Sequence, residues 1–316
     1  MLTVVYRFSV LALFFCFSCC ASVKERAEQE DATILKDLQT LSSDDFEGRK
    51  TGTTGAERAR AFITERFKSL GIQTLPDQSG YLQSFQFNDK KEAVREGINV
   101  LGYIPGKLKE TLVISAHYDH LGRIKDSIYN GADDNASGVA ALLHFAAYFS
   151  KNKPNFTLIF AAFDAEEMGL QGAKAFVANP PVPLERIKLN INMDMIAHND
   201  KNELYVCGAN LYPQMKNYIE QKADSTKIKL LLGHDDPKAG HDDWTNQSDQ
   251  GAFHAKGIPF LYFGVEDHRD YHQPSDTYEN TNPTFYVGAV DAILNVLLNI
   301  DNKLSSHIQI DKNKIM

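Results

Sequence analysis

The sequence predicts an α/β fold in three layers, with helices on both faces of a central mixed, mainly parallel sheet. Three observations predict it. Apolar runs of strand length alternate with segments of helical periodicity along nearly the whole chain, the order that builds parallel sheets covered on both faces. Central runs such as LVISA and FTLIFAAF are continuous in apolar residues, as strands buried on both faces are. These runs also end in histidine or acid, at the carboxyl edge where open α/β sheets place their sites.

Taken in order, residues 1–22 carry Arg7 and then the apolar run FSVLALFFCF. The run is too short to span a bilayer comfortably and is followed by small residues, so it reads as an export signal outside the fold. Its end, CFSCCAS, leaves two readings open: cleavage near Ala21 to a soluble protein, or lipidation of Cys19 or Cys20, which the SC and CC pairs favour. The chain is then exported, periplasmic or an outer-membrane lipoprotein if bacterial, and meets a membrane only through that lipid. Residues 23–31 are a charged spacer, 32–304 one domain, and 305–316 a polar tail.

Within the domain, Ile34, Leu35, Leu38 and Leu41 recur at helical spacing. The Gly/Thr/Asp stretch SSDDFEGRKTGTTG is a loop. Ala56–Leu70 is a helix stopped by Gly71. Tyr81–Phe87 and Ile98–Ile104 are strands. Leu112 opens a buried strand ending at His117, and NGADDNASG is a turn that starts the apolar helix Ala136–Phe149. Phe156–Phe163 is a strand ending in DAEE, and Gly169–Val177 a short helix. Ile187–Ile196 and Glu203–Cys207 are strands, Tyr212–Ala223 a helix, Lys227–Leu232 a strand. Residues 233–248 are read as a loop over the site. A short helix (Gln250–Ala255), a strand (Ile258–Phe263), a polar stretch and a last helix (Pro283–Ile300) complete the domain.

Composition narrows the chemistry. A content of 43% hydrophobic and 23% charged residues is that of a soluble globular protein. The net charge of −8, without a basic stripe, argues against nucleic acid. Of four cysteines, Cys16, Cys19 and Cys20 lie in the N-terminal apolar stretch and only Cys207 in the body. That excludes a disulfide framework and a cysteine-rich zinc site in the domain. Any metal must be held by histidine and carboxylate. Such groups gather at the strand ends: His117 and Asp119, Asp133 and Asp134, Asp164, Glu166 and Glu167, Asp194, and the segment reaching His272. Burying so many carboxylates without counter-charge is very costly. Divalent metal is the simplest compensation, and imidazole with carboxylate suits zinc best.

HYDHLG, NGADDNASG, FDAEEMGLQGA, NMDMI and DYHQPSD, in that order, resemble the co-catalytic zinc peptidases of the aminopeptidase Y, bacterial leucyl aminopeptidase and glutamate carboxypeptidase type. FEGRKTGTTG and NVLGYIPG resemble them too, so the likeness runs from about Leu41 to Asn280. It implies a phosphorylase/hydrolase-like fold with two zinc ions per chain bridged by Asp133. His117 and Asp194 would complete one site, Glu167 and His272 the other. Glu166 would be the general base and Asp119 would orient His117. A cis peptide is implied between Asp133 and Asp134. The function implied is an aminopeptidase acting on peptides with a free N-terminus. Alternatives are a carboxypeptidase or dipeptidase of the same fold, a glutaminyl cyclase, and a binding domain with a dead site. The cyclases bind one zinc and lack the first histidine, which His117 supplies here.

Several residues have plainer readings. Asp134 and Asn135 are caps of the following helix. Asp276 either orients His272 or starts a turn. His120, His144, His254 and His307 are read as non-ligands, and so are the loop histidines His198, His234, His241 and His268. Cys207 is a core residue; Tyr262 and Tyr271 line the pocket. In NQSDQGAFHAKGIP the position that holds histidine in the family is Gln250, so no binding role is carried over to Ser248 or Asp249.

Overall fold

The computed structural model describes residues 28–89, 91–219 and 227–306. The segment expected to be an export signal, most of the expected spacer and most of the expected tail lie outside the described residues. The strands are Leu82–Asn88 (β1), Val94–Ile104 (β2), Thr111–His117 (β3), Gly122–Ile124 (β4), Ser127–Tyr129 (β5), Thr157–Phe163 (β6), Ile187–Met193 (β7), Glu203–Cys207 (β8), Lys229–Leu232 (β9) and Phe260–Gly264 (β10). The helices are residues 28–41 (α1), Thr54–Ser69 (α2), Gly138–Lys151 (α3), Gln171–Ala178 (α4), Lys216–Ile219 (α5), Gln250–His254 (α6) and Pro283–Asn299 (α7).

Eight strands form one sheet in the order β1-β2-β6-β3-β7-β10-β8-β9, and β4 and β5 form a separate hairpin. The centre is parallel: β3 pairs with β6 and β7, and β7 with β10. Antiparallel pairs β1/β2, β2/β6 and β10/β8 flank it, so the sheet is mixed and mainly parallel at its core, as expected. Every residue of β3 and β6 is buried. Their side chains divide by the period of two. Leu112, Ile114, Leu158 and Phe160 face the core shared with α2, α3 and α7, whereas Val113, Ile159 and Phe163 face the smaller core of α4 and α6. Continuous apolar runs are what two covered faces require.

The registers decide where the chemistry falls. His117 pairs with Phe163 and Met193 with Phe263, so the residues just after β3, β6, β7 and β10 emerge side by side. The helix expected over Tyr212–Ala223 is a 3₁₀ turn, Pro213–Met215, followed by α5; residues 220–223 lie outside the described residues. β2 starts at Val94, earlier than its apolar run, because it pairs along the whole of β1. The hairpin β4/β5 is too short to leave a periodic signal. α7 begins as its sequence dictates, with Pro283 in the first turn and Asn282 accepting the Phe285 N–H.

Candidate metal centre

Loops leaving the carboxyl edge of the sheet build the centre. His117, the last residue of β3, is buried, and its Nδ1 lies 3.1 Å from the Asp119 main-chain carbonyl. That contact assigns the proton to Nδ1 and leaves Nε2 as a donor atom. Nε2 stands 3.2 Å from Asp194 Oδ1 and 3.3 Å from Asp134 Oδ1. The other oxygen of Asp134, Oδ2, is 3.1 Å from His272 Nε2 and 3.5 Å from His120 Nδ1. Glu167 Oε1 is 3.4 Å and 2.9 Å from the same two nitrogens. One aspartate thus faces two donor sets, one with each oxygen.

That aspartate is Asp134, which corrects the expectation placed on Asp133. Asp133 is turned away: Oδ1 accepts the Ala197 N–H at 2.6 Å and Oδ2 lies 2.9 Å from His268 Nε2. The cause is Asp276, which neither orients His272 nor merely starts a turn. Its two oxygens accept the N–H groups of Asp133 and Asp134 at 2.9 and 3.1 Å, fixing the register of the turn so that the second acid faces inward. The cis peptide is Asp134–Asn135 and not Asp133–Asp134. Of the two expected caps only Asn135 acts as one, accepting the Gly138 N–H at 2.9 Å.

Asp119 touches His117 differently from expectation. Its carboxylate is 3.7 Å from His117 Nδ1, too long for a hydrogen bond, and the nearer contact is its carbonyl. The carboxylate instead accepts the N–H groups of Glu166 and Glu167, at 3.0 and 3.3 Å. Asp119 therefore holds the turn that presents both glutamates.

The charges are mutually dependent. Burial pushes Glu166 well above the usual carboxylate range; His117 opposes this, and Asp194, Asp249 and Glu167 add to it. Burial also works against Asp134 as a carboxylate, but His120, His117 and His272 outweigh it and hold the group well below that range. Hydrogen bonding to Asp134 and Glu167 raises His272 to about 10. Protons on these histidines stand where cations would. The donor chemistry fits divalent zinc: imidazole nitrogens and carboxylate oxygens converge in two sets. Neither ring nitrogen of buried His120, nor Oε1 of Glu167, has a hydrogen-bond partner among the described residues, a costly state for buried polar atoms unless something else binds them.

Two participants escaped the sequence reading. His120, expected to be a non-ligand, is buried against Glu167. Arg49, read only as part of a loop, is fully buried and donates to four carbonyls: Tyr118, Leu41, Asn130 and Gly131, at 2.6–2.8 Å. It ties the His117–His120 segment to the Asp134 turn. Burial lowers its pKa to about 10, against the pull of Asp134, Asp276, Asp119 and Glu167. An arginine within a Gly/Thr loop carries no periodic signal; its position inside FEGRKTG was the only hint.

A cleft of about 350 Å³ opens over the centre, lined among others by Glu166, Glu167, Trp244, Tyr262, Tyr271 and His272. Trp244 belongs to the 233–248 loop, which does lie over the site. Gln250 lies beneath that loop, accepting from Asn192 Nδ2 at 2.9 Å and donating to the Trp244 carbonyl at 2.8 Å. Asp249 is fully buried with neither oxygen partnered among the described residues, and burial raises its pKa to about 8.

Known proteins share this frame. The zinc aminopeptidase BSAP of Bacillus subtilis superposes with a TM-score of 0.67 at 16% identity, covering 84% of this chain and 94% of that one. The glutaminyl cyclase of Bacteroides thetaiotaomicron superposes with a TM-score of 0.68 at 16% identity, covering 85% and 97%. Both likenesses establish the fold. In sequence, aminopeptidase YwaD of Bacillus subtilis is 28% identical over 183 residues, 55% of this chain and 37% of that protein. The chain thus spans under half the length of this curated relative. The family model for peptidase family M28 matches residues 99–297, more than half of the chain and a stretch that contains His117, His120, Asp134, Glu167, Asp194 and His272, and on that match the chain belongs to peptidase family M28.

Proposed function

We propose that this chain is an exported aminopeptidase that uses two zinc ions to remove N-terminal residues from peptides. The observation that carries the proposal is the placement of Asp134, one oxygen toward His117 and Asp194, the other toward Glu167 and His272. His117, Asp134 and Asp194 would hold one ion; Asp134, Glu167 and His272 the other. When bound, such a pair supplies Lewis acidity that polarises a peptide carbonyl and makes water acidic enough to attack it.

The chain's own groups do the rest. Glu166 lies beside Glu167, lines the cleft and is not part of either donor set. It would take the proton of the attacking water and return it to the leaving amine. Burial and the neighbouring acids raise its pKa, which makes its carboxylate a stronger base for the proton of water. Asp119 fixes its backbone. Trp244, Tyr262 and Tyr271 would shape the pocket for the substrate side chain. Export is supported by the apolar stretch that follows Arg7.

The glutaminyl cyclase fold match keeps a transferase reading alive; the histidine at position 117, beside Asp194 and Asp134, speaks for a second ion and for hydrolysis. Zinc content measured together with a panel of aminoacyl-anilides, their N-acetylated forms and a glutaminyl peptide separates the two. Two zinc ions with cleavage only of free-amine substrates is the expected result. One zinc with cyclisation of the glutaminyl peptide would replace the aminopeptidase by the cyclase.

A further inference from the structure

We infer that His120 is a fourth protein donor to the ion on the Glu167 side, so that the two metal positions are chemically unequal. This assignment rests on the two-zinc reading above and on the positions of the donor atoms. Zinc held tetrahedrally by nitrogen and oxygen at about 2.0–2.2 Å has donor–donor edges of roughly 3.3–3.6 Å. Among Asp134 Oδ2, Glu167 Oε1, His272 Nε2 and His120 Nδ1, four of the six donor–donor separations are 3.1, 3.4, 3.5 and 2.9 Å, two within or near that range and two a few tenths shorter.

The directions agree with the distances. His120 Nδ1 is close to both oxygens, yet makes a hydrogen bond to neither. Its in-plane lone pair therefore points at neither oxygen, as expected of atoms that share a cation between them rather than a proton. Glu167 Oε1 is in the same state. His120 is also built in. It is 1% exposed, and a Cβ added at Gly131 would come within 2.6 Å of its Cγ and Cδ2, so the glycine leaves room for this ring in this place. Neither the sequence motif nor the side chains around it offer His120 another polar partner among the described residues.

The consequence is asymmetry. The Glu167 side has four protein donors, the closed set of a tightly held ion, whereas the His117 side has three and keeps an open position. The ion beside His117 and Glu166 is then the exchangeable one and the one that meets the substrate carbonyl, and the other acts as an anchor.

Zinc K-edge absorption of the fully loaded protein counts imidazoles without any mutation. With His117, His120 and His272 all bound, two ions share three rings, about 1.5 per zinc; without His120 the count is about 1.0. Stepwise chelation should remove one ion first and leave a one-zinc form with two imidazoles. His120→Ser should weaken the retained ion by more than the ~100-fold typical of losing a supporting contact, and His120→Gln, which preserves more of the packing, should do the same with an unchanged far-ultraviolet spectrum. A loaded two-zinc protein with a count of 1.0, or equal affinities unaffected by either variant, would overturn the assignment of His120. A protein that takes up fewer than two ions would instead overturn the two-zinc reading on which it rests.

Discussion

At the scale of single residues, adjacent acids in this chain have separate tasks. Glu166 and Glu167 are neighbours, but only Glu167 lies within reach of His120 and His272. Glu166→Gln is therefore expected to keep zinc content near wild type while turnover falls at least ~100-fold, the usual contribution of a general base. Retained turnover with intact metal would remove Glu166 from the mechanism. Asp133 and Asp134 form a second such pair. Asp134→Asn neutralises the shared donor and should lose at least one zinc. Asp133→Asn should keep both ions and cost only stability, on the order of 1–3 kcal/mol for disturbed contacts to Ala197 and His268. Metal analysis of the two variants side by side decides the order. This pair also shows where the sequence stops being legible. Both acids sit in a Gly/Asp/Asn turn of no fixed period, and which one faces inward is set by the hydrogen bonds that their N–H groups donate to Asp276, 142 and 143 residues away. His117, by contrast, ends β3 and Asp194 follows β7, so strand registers bring both to the carboxyl edge of the sheet, whereas His272 lies in a turn beyond β10 and only its motif marked it.

At the scale of elements, the strands were readable because burial on two faces leaves a compositional mark, and the loops were not because their contacts are long-range. Arg49 is the clearest instance. It lies before α2, and its guanidinium spans the loops after β3 and before α3 by donating to carbonyls on both. Those carbonyls have their partner in a fixed planar fork, which an ammonium cannot reproduce. Arg49→Ala should lower stability by at least ~3 kcal/mol, since several buried acceptors lose a charged donor at once. Arg49→Lys should recover only part of that. Urea unfolding of the zinc-free proteins measures both. If Arg49→Ala unfolded within ~0.5 kcal/mol of wild type, surface-like behaviour, the arginine would not be the tie between these loops. Zinc affinity should fall in the same order, because the loops it joins carry His117, His120 and Asp134.

At the scale of the whole molecule, the centre gathers more charge than the fold can hold alone, and this couples stability to pH and metal. For the zinc-free protein the relevant window runs from about pH 6.5 to 10, between the ordinary and the folded value of His272. His272, raised from its ordinary 6.5 to about 10 by Asp134 and Glu167, contributes stability that is complete below 6.5 and is lost as pH rises through 10. Asp249, raised by burial from 3.8 to about 8, keeps its proton longer folded than unfolded, so folding also weakens as pH rises toward 8. Glu166 is raised as well, by burial first, and acts in the same direction. Asp134 and Glu167 are held below the ordinary range, so their contribution is full throughout this window and fades only on acidification. His272, Asp249 and Glu166 therefore pull the same way, Arg49, lowered to about 10, opposes them only at the top of the window, and the melting temperature of the zinc-free protein should fall from pH 6.5 to 9.5. Zinc reverses the logic. Binding needs deprotonated donors, and a ligand that binds only the folded chain stabilises it in proportion to the logarithm of its occupancy. The melting temperature of the loaded protein should stay level over the same range, so that the gap between the two forms widens with pH. Thermal unfolding at constant free zinc, against a chelator-treated control, measures that gap. A gap that stayed constant or narrowed would mean that the protons of His272 and Asp249 do not occupy the place of the cations, and the centre would need another account of how its carboxylates are tolerated.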